Sequence, residues 1–340
     1  MSGIGGWSLK GAELITEQLA LWTGAETAKT TGGRGRKAQG ELSLYGIKKL
    51  RELILELAVR GKLVAQDPAD EPASLLLERI ASEKARLIKA GKIKKQKALP
   101  PITEEEKPFA LPAGWSFIRL LNVSILITKG SSPKWQGIAY TEDPDDILFV
   151  TSENVASYAL KLDNKKYVEK KFNDVSPRST LKKGDFLMNI VGASIGRTAI
   201  YDIDNLANIN QAVCLIRINL NFLNSQHLLY FFNSETCRSY MFDKQVDNAR
   251  ANLSMGNIAK FVIPIPPLAE QQRIVAKIDE LMTLCDQLEQ QQIQSNTTQQ
   301  TLLSTLLNTL TNSVDHADFT TSWQRLAEHF DILFTTEQSI

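Results

Sequence analysis

Residues 263–292 read IPIPPLAEQQRIVAKIDELMTLCDQLEQQQ, and the fold class turns on this stretch. Pro264, Pro266 and Pro267 fix φ and remove backbone donors, so the chain there is extended and outside any helix interior. From 268 to 292 there is neither Pro nor Gly, and good helix formers dominate. Its apolar residues Ile274, Ile278, Leu281, Cys285 and Leu288 recur in steps of four, three, four and three, the seam of a coiled coil. A strand end stopped by prolines and followed by a seam helix predicts a globular part carried on a helical strut.

A second seam lies far upstream. In residues 44–64, Ile47, Leu50, Ile54 and Leu57 are spaced three, four and three, and Gly61 is placed to end the helix. The two seams predict packing of the two helices, within one chain or between chains. Before them, residues 23–40 are Gly-rich and basic, a mobile linker or an arm laying Arg34, Arg36 and Lys37 on phosphates. Pro72 opens another helix to about Ala90. It runs into RLIKAGKIKKQK at 86–97, where Lys92, Lys94, Lys95 and Lys97 form a solvated face, position backbone phosphates or meet an acidic partner. Residues 99–112 are Pro-rich and acidic and read as a linker.

From Trp115 the pattern changes to short β-rich runs at 116–123, 146–150, 185–190, 198–203 and 212–218, with short helices at 225–232 and 236–242. Another amphipathic helix is expected over 293–312 and a short one near 323–330. The predicted plan is an N-terminal arm and linker (1–43), a helical region with the basic run (44–110), a mixed domain (111–265), a coiled-coil helix region (266–312) and a tail (313–340). The fold class is α+β, a globular mixed domain plus long coiled-coil-like helices.

Composition narrows the chemistry. The 340 residues hold 39 Lys and Arg against 38 Asp and Glu, a net charge of +1, so any nucleic-acid surface must be local. Cys214, Cys237 and Cys285 are widely spaced without a CxxC, so neither zinc nor a disulfide framework is expected and a reducing cytoplasm fits. No apolar run approaches ~18 residues, and the first residues lack the pattern of a signal peptide. His227, His316 and His329 sit in no HExxH or triad-like context, and there is no P-loop. The Asn/Asp-Pro-Pro-aromatic motif of N6-adenine methyltransferases and a Gly-rich AdoMet loop are also absent. One loose match remains: Asp145 after Pro144, with Glu169 and Lys171, fits the PD…ExK pattern of metal-dependent nucleases, in which two carboxylates hold a divalent cation. Surface charge is the plainer reading of those residues.

The middle domain does carry polar loops. Residues 128–135, TKGSSPKW, hold Lys129, Ser131, Ser132, Lys134 and Trp135, phosphate donors beside a flat apolar face. Residues 189–197, NIVGASIGR, join two strands and hold Asn189, Ser194 and Arg197. Asn208, Asn210 and Gln211 offer amides able to pair with adenine, and residues 247–254 add Arg250 and Asn252. Each loop alone is weak; together, without a catalytic set, they favour recognition over catalysis.

These motifs carry a resemblance. YGIKKLRELILELAVRGKLV at 45–64, QDP at 66–68, DEPAS at 70–74, EEKPF at 105–109 and LPAGW at 111–115 resemble specificity subunits of type I restriction-modification systems. So do GDFLM at 184–188, GR at 196–197, NQ at 210–211, NLS at 252–254 and PPLAEQQRIV at 266–275; together they span nearly the whole chain. It looks closest to the branch with a long N-terminal region. The resemblance implies a target recognition domain reading one half of a split site in double-stranded DNA, and helices that set half-site spacing and dock methyltransferase subunits. It implies no catalysis and no cofactor in this chain: AdoMet, for adenine N6 methylation, belongs to the methyltransferase partner, and ATP and Mg to the restriction subunit. Typical members hold two recognition domains and this chain one, so the reading is a natural half-subunit, pairing as a homodimer on a palindromic bipartite target, or a fragment. A nuclease using Asp145, Glu169 and Lys171, and an assembly adaptor that reads no DNA, stand as alternatives.

Overall fold

The computed structural model describes residues 15, 22, 45–219, 222–243 and 252–328. They form two compact units, one from 15 and 52–279, the other from 22, 45–51 and 280–328. In chain order the elements are α1 (Tyr45–Val59), α2 (Ala73–Lys89), β1 (Ser116–Arg119), the one-turn α3 (Leu120–Val123), β2 (Ser124–Lys129), β3 (Tyr140–Thr141), β4 (Ile147–Val150), β5 (Tyr167–Val168) and α4 (Phe172–Val175). There follow β6 (Asp185–Asn189), β7 (Thr198–Tyr201), β8 (Ala207–Ile209), β9 (Val213–Ile218), α5 (Ser225–Asn233), α6 (Glu235–Asp243), α7 (Met255–Ala259), β10 (Val262–Ile265), α8 (Leu268–Thr311) and α9 (His316–Glu328). This is the mixed helix-and-sheet class expected.

The larger unit is layered. One sheet has strand order β2-β9-β6-β7 and is antiparallel; the other, β3-β5-β4-β8, has β4 parallel to β8; β1 and β10 form a separate pair. Successive strand residues face opposite ways, so an unbroken apolar run suits a strand buried on both sides. In β9, Cys214, Ile216 and Ile218 enter one core while Val213 and Leu215 enter another. The first core packs the antiparallel sheet against Leu76 and Ile80 of α2, Leu228 and Phe232 of α5 and Met241 of α6. The second lies between the sheets, where Leu148, Val150 and Ile209 meet Leu187, Ala199 and Leu215. β4 turns Ile147 and Phe149 to a third cluster with Val168 and Phe172.

Four expectations change. Residues 116–123 are a strand and then a turn of helix, the turn closed by Ser124 Oγ on Leu120 O at 2.7 Å. Residues 99–112 are fastened: Arg119, 3% exposed, donates to Pro100 O (3.0 Å), Pro101 O (3.1 Å) and both Glu106 carboxylate oxygens (3.0 and 2.8 Å). The helices expected over 268–292 and 293–312 are one, α8, because no Pro or Gly divides them. The last helix begins earlier, at His316, and its described part ends at Glu328. Of the seam residues, Ile47, Leu50, Ile54, Ile274, Ile278, Leu281 and Cys285 are buried, and Leu57 and Leu288 half-buried. Within the smaller unit Arg51 of α1 donates to Asp286 (2.6 Å) and Glu289 (2.9 Å) of α8, so the two helices pair within one chain. No helix among the described residues is long and apolar enough to cross a membrane.

The start of α8 is a junction. Glu270, 1% exposed, accepts from Trp115 Nε1 (3.0 Å) and Gln66 Nε2 (3.2 Å). Gln271, fully buried, accepts from Asn224 N (2.8 Å) and donates to Pro266 O (3.0 Å). Arg273 pairs with Asp70. Gln66 also donates to Gly61 O at 2.7 Å, and Gly61 holds φ +66°, the left-handed turn that ends α1. Burial pushes the Glu270 carboxyl above its ordinary value of 4.5, against the Gln66 and Trp115 hydrogen bonds and the Arg273 charge, which pull it down.

The folded chain therefore holds the Glu270 proton more tightly than the unfolded chain does. The stability this adds is fully present below the ordinary value and is lost as pH rises through the raised one. Urea midpoints of the wild type and Glu270→Gln, compared from about pH 4.5 to about 7.5, should show a wild-type margin that shrinks with pH; a constant margin would contradict the shift. Glu270→Ala strands the buried Trp115 Nε1 and removes one of the two acceptors of Gln66 Nε2, and should cost about 1–3 kcal/mol.

Candidate nucleic-acid interface

Strand register gathers the polar loops. β2 ends at Lys129, opposite Cys214 near the start of β9. β6 ends at Asn189 opposite Val213, and β7 begins at Thr198 opposite Met188. In the second sheet β4 and β8 end together, Val150 opposite Ile209. Backbone bonds brace the segments that leave these ends: Gly130 N to Val213 O (3.4 Å), Ile190 N to Ala212 O (3.0 Å), Asn210 N to Val150 O (3.1 Å) and Tyr158 N to Thr198 O (2.9 Å). Asn252 bridges Val191, and Leu253 N donates to Ile190 O at 2.9 Å. Segments 130–136, 151–158, 190–197, 210–212 and 252–253 thus form one rim at one end of the sandwich.

The rim presents cations, the exposed aromatics Trp135 and Tyr158, and Glu153, which is paired with Lys166. Lys129, Lys134, Arg197, Gln211 and Asn252 are exposed, and Ser131, Ser132 and Ser194 are half-buried. Trp135 is 78% exposed, on the turn Pro133–Gln136. Ammonium and guanidinium groups suit phosphates, and the indole face suits stacking on a base or sugar. Ser131 Oγ is tied to Ser176 Oγ at 2.9 Å, which fixes the turn's approach.

Asn189 is corrected. It is fully buried, and its Nδ2 donates to Ser152 O (3.0 Å) and Val155 O (3.1 Å), so it braces the rim from inside and faces no ligand. Asn208 is likewise buried, donating to Asn173 Oδ1 (2.8 Å) and Ser176 O (3.1 Å), and Asn210 Oδ1 accepts from Ala212 N (3.1 Å). Arg250 lies outside the described residues, as do Arg34, Arg36 and Lys37. Lys92, Lys94, Lys95 and Lys97 are exposed but are not on the rim segments. Sequence reading passed over Tyr158, 39% exposed with φ 71°, a left-handed backbone with no glycine to announce it.

Nothing here assembles a nuclease centre. Glu169 pairs with Lys171 at 2.8 Å, and among the described residues no group of three or more His, Cys, Asp or Glu is placed to hold a metal ion.

Comparison with known proteins gives a consistent result. Residues 112–296 match the family described as "Type I restriction modification DNA specificity domain". The chain is 41% identical over 339 residues to the Type I restriction enzyme EcoAI specificity subunit of Escherichia coli, covering 96% of this chain and 55% of that one. It is 39% identical over 348 residues to the EcoEI specificity subunit of the same organism, covering 96% and 54%. The chain spans about half the length of these curated relatives. Among solved structures it is similar to the HsdS subunit from Thermoanaerobacter tengcongensis, with TM-score 0.42 and 18% identity over 77% of this chain and 60% of that one.

The rim is set by close approach at Gly130. A Cβ there would lie 1.8 Å from Ile209 O and 2.6 Å from Asn210 O. Gly130→Ala should therefore cost about 3 kcal/mol or more in chemical denaturation. Gly137→Ala, whose Cβ meets nothing within 4 Å at φ +67°, should cost about 1–2 kcal/mol for left-handed backbone alone.

Proposed function

The chain belongs to the type I restriction modification DNA specificity family, and on that premise we propose that it is the DNA-reading subunit of a type I restriction-modification complex. The rim reads one half of a bipartite duplex target, and the chain docks methyltransferase subunits that methylate adenine N6. The carrying observation is the convergence of Lys129, Lys134, Trp135, Arg197 and Asn252 at one end of the sandwich, on segments tied to each other by backbone bonds. Lys129 and Lys134 would lie on phosphates, and Arg197 can pair bidentately with guanine.

In this reading the chain catalyses nothing itself. AdoMet is bound by the methyltransferase partner, and ATP and Mg by a restriction subunit; the complex works in the cytoplasm. Two copies paired through their helices would make the target a palindrome, whereas a different recognition domain completing the complex would give it two unlike halves.

Co-expression with the methyltransferase subunit, followed by mapping of N6-methyladenine, should reveal a bipartite motif absent with the methyltransferase alone. Lys134→Ala with Arg197→Ala should flatten the salt dependence of target binding by about one to two units of slope and weaken discrimination at one base pair by about 1–3 kcal/mol. Target binding unchanged in both respects overturns the assignment of the rim.

A further inference from the structure

Lys92, Lys94, Lys95 and Lys97 stand exposed within six residues of a chain whose net charge is only +1. Among the described residues none of the four is in an ion pair. Glu83, on the neighbouring α2, pairs with Arg86 at 2.6 Å and also feels the charge of Lys92. The segment forms neither helix nor strand, yet it is held at its start and through the Gln96 side chain. Lys92 N and Ile93 N donate to Leu87 O at 3.0 and 3.4 Å. Lys84 Nζ donates to Gln96 Oε1 at 2.8 Å and to Leu121 O, clamping the ribbon between α2 and α3. Arg119 then grips Pro100 and Pro101, just beyond its end.

This anchoring is unusual chemistry for an exposed lysine-rich segment. Lys84 is withdrawn from water to make it, and burial pulls its pKa down to about 8. A solvated basic face needs no such clamp, because mutually repelling lysines are lowest in free energy when free to spread. A segment tied at 92, 93 and 96 instead narrows the arrangements of the lysines, which lowers the entropy lost on engaging a partner.

Location separates the two possible partners. The clamp is at Leu121, before the start of β2, and the rim begins where β2 ends. β2 has six residues, about 17 Å at about 3.4 Å per residue. Ribbon and rim are thus at opposite ends of the same sheet. The lysines therefore lie off the rim segments, about one strand length from them.

We infer that the ribbon at 92–97 is a docking surface for a carboxylate-rich face of a partner protein subunit, and not a DNA contact. The inference rests on the reading of the rim as the DNA-facing end. Charge complementarity of this kind sets association rate and orientation, and it weakens steeply with salt.

The test uses the full chain with Lys92, Lys94, Lys95 and Lys97 all changed to Glu, and a companion with all four changed to Arg. The probes are the purified methyltransferase and restriction subunits and a target duplex. The Glu variant should bind at least one subunit about tenfold or more weakly, while the Arg variant binds normally. With subunits at saturating concentration, the salt slope of target binding should match the wild type. A slope shallower by about three or four assigns the lysines to phosphates and overturns the inference, as does unchanged binding of both subunits. Lys134→Ala with Arg197→Ala is measured alongside. If that pair leaves target binding intact, the rim reading has failed and takes this inference with it. If it weakens target binding while the ribbon variants change nothing, only the inference has failed.

Discussion

A carboxylate taken out of water has to be met by donors, and Glu270 is the point where that requirement closes the larger unit. Its donors are Trp115 Nε1 and Gln66 Nε2, contributed by the residue just before β1 and by the turn after α1. Gln271 beside it ties the backbone of Asn224 to that of Pro266. Leaving any of these groups unpaired is costlier than the bond itself is favourable. The junction is therefore met as a set or not at all. β1 pairs with β10 immediately next to it, so the way into the sandwich and the way out of it are held side by side.

This explains the location of some of the motifs that carry the family resemblance, while those at 196–197, 210–211 and 252–254 lie on the rim. Residues 61–70, 115 and 266–273 meet at the junction, and none of them belongs to the rim. They specify how the recognition domain is mounted. The exposed rim residues Lys134 and Trp135 lie outside every one of these motifs, on a loop that shares no contact with Glu270 among the bonds described above.

Much of the fold was legible because it rests on local pattern. The seam of 274–288 and the absence of Pro or Gly announced α8, and the β-rich run at 212–218 announced the strand β9. Register was not legible. That Asn189 ends opposite Val213 and Lys129 opposite Cys214 follows from pairing across the sheet, and only that pairing shows that the loops share one rim. Nor could composition tell an amide that reads from one that braces: Asn189 and Asn252 are the same side chain, one fully buried and one exposed. The fastening of the linker at 99–112 was not legible for a related reason, since Arg119, which fastens it, looks in sequence like any surface arginine.

Gly130 carries a consequence for timing. A single methyl group at Gly130 would collide with Ile209 O, so the base of the 130–136 loop is closely packed on β8; on the proposed reading of the rim, that leaves it little room to accommodate an ill-fitting sequence. A loop of this kind does not reshape itself around a wrong base pair, so correct and incorrect sites should be met at similar rates. Selectivity would then appear almost wholly in how long the protein stays, with short dwell on near matches and long dwell on the true site.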